Sequence, residues 1–104
     1  MRTYHAHVYF DDATRQEASK IREKIRGFHV PVGRMHDQPV GPHPKRMFQI
    51  ALDSSSFGKV VDYLMMNRRG LSVLVHPLTG DDLADHVQYS FWLGEKLDLN
   101  LEKL

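Results

Sequence analysis

The sequence predicts an α+β fold with six elements in the order β-α-β-β-α-β. Its 104 residues match the size of one domain. Stretches that alternate polar and apolar residues, as strands do, are separated by stretches with helical periodicity. Hydrophobic residues make up 41% and charged residues 26%, the balance of an ordinary globular protein. We therefore expect residues 1–104 to form a single ferredoxin-like domain, a sandwich of two helices on an antiparallel sheet, with a C-terminal extension.

The first half of the chain contains a strand, a helix and a weaker strand. Tyr4–Phe10 alternates aromatic or aliphatic residues with histidines, which predicts a strand. Two aspartates then offer a cap for a helix over Ala13–Arg26, which Gly27 ends. A second strand can follow over Val30–Met35, although a proline and a glycine weaken it. Residues 36–44 hold three prolines and one glycine and are expected to form a loop.

The second half repeats this pattern. Arg46–Leu52 alternates again and predicts a strand. An aspartate and three serines then offer several N-caps for a helix over Phe57–Asn67. Leu71–Val75 is a short apolar run typical of a buried strand. Beyond it, we expect a short helix from Asp81 or Asp82, and alternating leucines that could add a strand at a sheet edge or a dimer interface (Leu97, Leu99, Leu101).

Composition and charge exclude several classes of protein. The 14 Lys and Arg residues nearly balance the 13 Asp and Glu residues, so nucleic acid is not expected to be a partner. The absence of cysteine excludes disulfides, thiolate metal sites, iron–sulfur clusters and a cysteine nucleophile. No apolar run approaches the roughly 18 residues of a membrane span, and the start of the chain is polar. We therefore expect a cytoplasmic protein without a membrane partner.

Seven histidines are the unusual feature of this chain. Strand alternation places His5 and His7 on the sheet face opposite the helices, with Gln49 in the neighbouring row. His76, at the end of the last predicted strand, can point to the same face, and His43 lies in the proline-rich loop beside it. Neutral imidazole is a common ligand of transition metals. The pattern therefore predicts a metal site on the open face of the sheet.

Other polar residues are weaker candidates. His86 could bind the metal, act as an acid–base group or bind substrate. Arg69 could bind a substrate carboxylate, and Gln49 is a second candidate for substrate binding. His29 and His36 have no arrangement that favours a functional role.

Four motifs then occur in order along the chain. They are His5-Ala6-His7-Val8-Tyr9-Phe10, Val40-Gly41-Pro42-His43-Pro44, Val73-Leu74-Val75-His76-Pro77-Leu78-Thr79-Gly80-Asp81, and Asp85-His86 followed by Trp92-Leu93-Gly94. Over almost the whole chain, this set resembles the DOPA 4,5-dioxygenase family of small aromatic ring-cleaving enzymes. The resemblance implies a ferredoxin-like domain that forms a homodimer, similar to the dimeric α+β barrels. It also implies extradiol cleavage of a catechol, such as DOPA, by non-haem Fe(II) and O2.

The resemblance also implies roles for individual residues. The family's histidines fall on His7, His43, His76 and His86. We expect the first three to bind the metal, which is Fe(II) or, in purified protein, Zn or Ni, and His86 to act as an acid–base group. His5 is a further acid–base candidate. Other side chains that could complete the site are Tyr9 as a hydrogen-bond donor and Asp81 or Asp85 as a carboxylate ligand.

Three alternatives use the same residues differently. The histidines could hold a redox-inert metal in a zinc-type hydrolase or isomerase. The domain could instead be a regulatory module that binds a metal or a small ligand. In the third, the open face only forms a dimer interface, which would bury His5 and His7 at a cost in free energy unless both are hydrogen-bonded. If the chain is a dioxygenase, its substrate could be DOPA or another catechol, such as a caffeate-like or protocatechuate-like acid.

Overall fold

The strands and helices follow the chain in nearly the expected order. The computed structural model describes residues 2–104. The elements within that range are β1 (Thr3–Phe10), α1 (Arg15–Arg26), β2 (Arg46–Asp53), α2 (Ser54–Asn67), β3 (Val73–Pro77), α3 (Asp82–His86), β4 (Phe91–Leu93) and a 3₁₀ turn at Leu101–Lys103. The strands form an antiparallel sheet in the order β2-β1-β3-β4. The α+β fold class is therefore confirmed. Within residues 2–104, no helix combines the length and apolarity needed to cross a bilayer.

The predicted strand over Val30–Met35 is wrong as a continuous strand. Only isolated bridges connect this part of the chain to β2, at the pairs Val32–Ile50 and His36–Met47. Pro31 lacks the backbone N–H that a ladder requires. The segment therefore runs along the outer edge of β2 as irregular chain.

The helices cover one face of the sheet. Helix α1 buries Ala18, Ile21 and Ile25, and helix α2 buries Val60 and Leu64. They pack against alternate strand residues, namely Ala6, Val8, Phe10, Phe48, Ile50, Leu52, Val73 and Val75. Full burial of one such large aliphatic or aromatic side chain stabilises the fold by about 1.5–3 kcal/mol. This core holds β1 and β3 side by side and turns their remaining side chains to the opposite face.

A tail segment, residues 94–100, covers part of that opposite face. Its Leu97 and Leu99 pack with Trp92 against a second apolar cluster formed by Tyr9, Met47 and Leu74. Because the leucines dock on the face of the sheet and not on its edge, they do not form the additional strand that their alternation suggested. The additional strand is β4, which pairs with β3. The histidines lie on the rest of the open face, beside the tail segment.

Candidate active site

Five of the seven histidines converge on the open face. His5 and His7 project from β1, and His76 comes from β3, where it pairs directly across from His5. His43 comes from the proline-rich loop, and His86 is the last residue of α3. The centres of the His7 and His43 rings are 4.2 Å apart, and those of the His76 and His86 rings are 4.0 Å apart. We call these five residues the histidine cluster.

Three members of the cluster bring their nitrogens close together. One ligand atom each from His5, His7 and His76 lies within 4.8 Å of the others. The Nε2 atoms of His7 and His76 are 3.0 Å apart. Two imidazole nitrogens that bind one metal at about 2.1 Å and at right angles are separated by about 3 Å. This spacing fits a shared metal ion.

Hydrogen bonds to backbone carbonyls fix the proton on two rings. His76 donates its Nδ1–H to the carbonyl of Pro77 at 2.8 Å, and His86 donates its Nδ1–H to the carbonyl of Asp82 at 2.7 Å. In the neutral rings, the Nε2 atoms of both residues therefore carry lone pairs. Backbone carbonyls commonly orient metal-binding histidines in this way.

His7 lies at the centre of the cluster. Its side chain is 2% exposed, and its Nδ1 atom is buried without a hydrogen-bond partner. If the metal-free ring donates its Nε2–H to His76, its Nδ1 lone pair has no partner. A buried polar atom without a partner costs free energy, which a functional site can tolerate. The facing Nε2 atoms agree with a metal-binding role for His7.

His43, which we expected to be the third ligand, has a different environment from His5. Its Nδ1 lies 2.7 Å from the hydroxyl of Tyr9, which is itself buried and stacks on Trp92. The Nε2 atom of His43 remains available. His5 is half-buried and belongs to the group of closely spaced ligand atoms. Two histidines therefore compete for the position of third ligand.

Burial lowers the pKa of four members of the histidine cluster and so favours their uncharged imidazoles. Burial, followed by the charge of neighbouring histidines, lowers the pKa of His7 well below 6.5. Burial in the same way lowers the pKa of His43 to about 4 and that of His76 to about 4. The pKa of His5 is also lowered, by burial and by His86. Neutral imidazole is the form that binds metals, so the cluster is ready for a cation at neutral pH.

The candidate carboxylates have other roles. Asp85 is buried and accepts hydrogen bonds from the backbone N–H of Thr79 at 2.9 Å and from its hydroxyl at 2.5 Å. Burial raises the pKa of Asp85, but the bonds from Thr79 outweigh that effect and lower the pKa overall. Asp81 caps helix α3 by accepting from the N–H of Ala84. Within residues 2–104, the group of closely spaced ligand atoms contains histidines only.

The two predicted substrate-binding residues lie in different places. Gln49 pairs with His7 across β1 and β2 and is half-buried beside the histidine cluster. Arg69 forms an ion pair with Glu17 of helix α1 at 2.8 Å and therefore lies in the helical layer on the other side of the sheet. That position does not support contact with a substrate at the cluster. His29 is exposed, and His36 lies on the irregular segment beside β2.

Sequence reasoning missed how the tail segment encloses the site. The stacking of Trp92 on Tyr9 has a ring separation of 5.7 Å, and the N–H of Asn100 donates to the carbonyl of Pro42 at 2.8 Å. Pro42 immediately precedes His43. The alternating leucines of the tail segment indicated an apolar contact, but the pattern does not identify the surface that they contact.

Comparisons with known proteins agree with this arrangement. Residues 4–103 match the sequence profile of the Dopa 4,5-dioxygenase family. The chain belongs to this family. In Amanita muscaria, a protein named DOPA 4,5-dioxygenase is 37% identical over 114 residues, which cover 100% of this chain and 50% of that protein.

Two further proteins resemble this dioxygenase family member, and the chain covers different shares of their lengths. An uncharacterized 21.2 kDa protein of Botryotinia fuckeliana is 34% identical, over 94% of this chain and 61% of its own length. The chain thus spans about half to three-fifths of the curated relatives it matches. A crystal structure of a "putative dioxygenase" from Nostoc punctiforme is 52% identical with a TM-score of 0.95, and the match covers 98% of this chain and 90% of that one.

Proposed function

We propose that this member of the dioxygenase family cleaves the ring of a catechol by extradiol chemistry, with O2 and a bound divalent metal. The observation that carries the proposal is the convergence of five histidines on one face of the sheet, three of which bring ligand atoms within 4.8 Å of one another. The substrate would be DOPA or another catechol. Fe(II) is the proposed working metal, and Zn or Ni could replace it in purified protein because both compete well for nitrogen sites.

His7 and His76 are the proposed core of the metal site. Their Nε2 atoms face each other at 3.0 Å, and the bond from His76 to Pro77 leaves its Nε2 free for a cation. The third ligand is His43 or His5. When bound, Fe(II) would supply the redox chemistry with O2 and would lower the pKa of a coordinated catechol hydroxyl.

The remaining side chains would orient the substrate and move protons. His86 is the proposed base, because its Nδ1 is hydrogen-bonded to the carbonyl of Asp82, which leaves Nε2 available, and its ring centre lies 4.0 Å from that of His76. It would accept a catechol proton and later return one to the product. Tyr9 would fix the orientation of His43 through its hydroxyl. The apolar cover formed by the tail segment would exclude water from that side.

The test is reconstitution with Fe(II) without oxygen, followed by O2 and a panel of catechols including DOPA, caffeate and protocatechuate. We expect O2 uptake and a yellow ring-cleavage product. His7→Ala and His76→Ala should each abolish both signals and reduce bound metal. His29→Asn is the matched control, because His29 is exposed and has a left-handed φ of 60° that asparagine tolerates.

Other outcomes of this experiment would refute the proposal. Stoichiometric metal without turnover of any catechol would favour a zinc-type hydrolase or a regulatory module. If His29→Asn lost as much activity as His7→Ala, the activity would not depend specifically on the histidine cluster. To identify the third ligand, the metal affinities of His5→Ala and His43→Ala are compared. The variant that binds the metal more weakly has lost the third ligand.

A further inference from the structure

A cavity of about 280 Å³ lies beside His86, which is the one member of the histidine cluster that lines it. It is enclosed by α3, Trp92 and the tail segment, and its lining includes His86, Trp92, Lys96, Leu97, Asp98 and Leu99. Two other cavities touch His76 and His5, but these are also lined by residues of the helical side, Tyr4 with Phe57 and Phe28 with Leu52. Of these three cavities, the one beside His86 is lined by no residue of the helical side.

The wall of this cavity suits a substituted aromatic ring. Trp92 offers a flat indole, and Leu97 and Leu99 complete an apolar wall. Ligand sites of this kind are mostly apolar, with a few polar groups that set orientation. The volume is at the small end of such sites, which favours a single ring with a short side chain over a nucleotide or a peptide.

The charged side chains of the cavity lie on the tail segment. Lys96 and Asp98 are both exposed, and neither forms an ion pair with another of residues 2–104. The ammonium group of Lys96 is therefore free to bind an anion. The carboxylate of Asp98, on the same wall, disfavours a ligand that carries two negative charges.

We infer that Lys96 is a specificity-determining residue that binds the carboxylate of the substrate's side chain while the ring lies against Trp92. This inference rests on the proposed function and deepens it, because it restricts the substrate to catechols that carry one carboxylate. The carboxylate could belong to an amino acid, as in DOPA, or to a simple acid, as in caffeate. Lys96 does not take part in the chemistry of the ring.

Binding can be measured directly because Trp92 is the only tryptophan in the chain. Metal-free and Fe(II)-loaded protein are titrated without oxygen, and the fluorescence of Trp92 is followed. Caffeate and DOPA carry the carboxylate, and 4-methylcatechol and dopamine lack it. The variants are Lys96→Met, Lys96→Arg and the matched control Lys103→Met, which removes an exposed lysine of the 3₁₀ turn that does not line the cavity.

We expect Lys96→Met to weaken the binding of caffeate and DOPA by about tenfold, the usual effect of losing one charge-assisted hydrogen bond. Binding of 4-methylcatechol and dopamine should change less than twofold. Lys96→Arg should retain the preference for carboxylates, and Lys103→Met should behave as the unmodified chain. In O2-uptake assays, Lys96→Met should raise KM for the carboxylated catechols and leave kcat unchanged.

Equal weakening of all four ligands by Lys96→Met would overturn the inference, since Lys96 would then only shape the wall. No weakening of any ligand would overturn it as well. These failures differ from a failure of the proposed function. If no catechol is turned over but the Lys96-dependent preference persists, the binding site stands and the dioxygenase proposal falls. If turnover occurs without that preference, the proposed function stands and this inference falls.

Discussion

Single hydrogen bonds decide what each histidine can do. His76 and His86 both give their Nδ1 protons to carbonyls, which leaves Nε2 as the functional atom. The Nδ1 of His43 instead faces the hydroxyl of Tyr9. Tyr9 is 1% exposed, and burial raises its pKa above the ordinary value of 10, so the hydroxyl stays protonated at neutral pH. Tyr9 can therefore donate to His43 and fix the position of its ring.

The Tyr9→Phe substitution tests this role. It removes the hydroxyl and leaves the Nδ1 of His43 buried without a partner, so we expect the free energy of unfolding to fall by about 1–3 kcal/mol. The measurement is urea unfolding of the metal-free protein at pH 7.5. Tyr89→Phe is the control, because Tyr89 is exposed and its change should stay within about 0.5 kcal/mol. Equal stability of the two variants would contradict the role of the hydroxyl.

Strand alternation alone predicted part of the site. It placed His5, His7 and Gln49 on one face, because side chains alternate along β1 and β2. His43 and His86 lie in a loop and at the end of a short helix, where no periodicity fixes the direction of a side chain, so the sequence named them as candidates without fixing their positions. The position of Arg69 was missed for a related reason. Its partner Glu17 is 52 residues away in sequence, and local patterns do not reveal such pairs.

At the scale of elements, the predictions were best where the apolar side chains of a segment could pack on only one surface. Strands β1 and β2 and helices α1 and α2 were identified by the periodicity of their apolar residues, and β3, which is buried on both faces, by its short apolar run. The tail segment was harder, because its leucines could pack on an edge, on a face or on a second chain. The expected homodimer stays a prediction.

The start of helix α2 illustrates what a motif leaves open. The sequence offered four capping residues, and Asp53 takes the role by accepting from the N–H groups of Ser55 and Ser56. Asp53→Ala should lower the free energy of unfolding by about 1 kcal/mol. Ser54→Ala is the matched control, because Ser54 is exposed and does not act as the cap, so a much smaller change is expected. Thermal unfolding measures both, and a larger loss in Ser54→Ala would show that the cap is misassigned.

At the scale of the whole molecule, the helical layer and the histidine layer place opposite demands on stability. The core on the helical side buries apolar side chains, which favours folding. The histidine side buries imidazoles whose charged forms it cannot solvate, so folding there depends on their being neutral. The fold therefore supports a site that a bound metal or a higher pH stabilises and that protons destabilise.

This balance predicts how stability depends on pH. Because the pKa values of His43 and His76 fall from 6.5 to about 4 on folding, the unfolded chain binds more protons between pH 4 and pH 6.5. The free energy of unfolding of the metal-free protein should therefore rise with pH in this range. We expect a loss on the order of 5 kcal/mol from pH 7 to pH 4.5, measured by urea unfolding.

The pKa values of carboxylates such as Asp53 and Asp85 are lowered, so these groups stop stabilising the fold mainly as the pH falls through and below 3.8. A scan that stops at pH 4.5 therefore reports mainly the effect of the histidines on the free energy of unfolding. His76→Gln removes one of the buried imidazoles and should make the dependence shallower. A flat profile for the unmodified chain would mean that the cluster accepts protons as readily as the unfolded chain does. A cluster of that kind would not hold its histidines neutral, and the balance between the two layers would be lost.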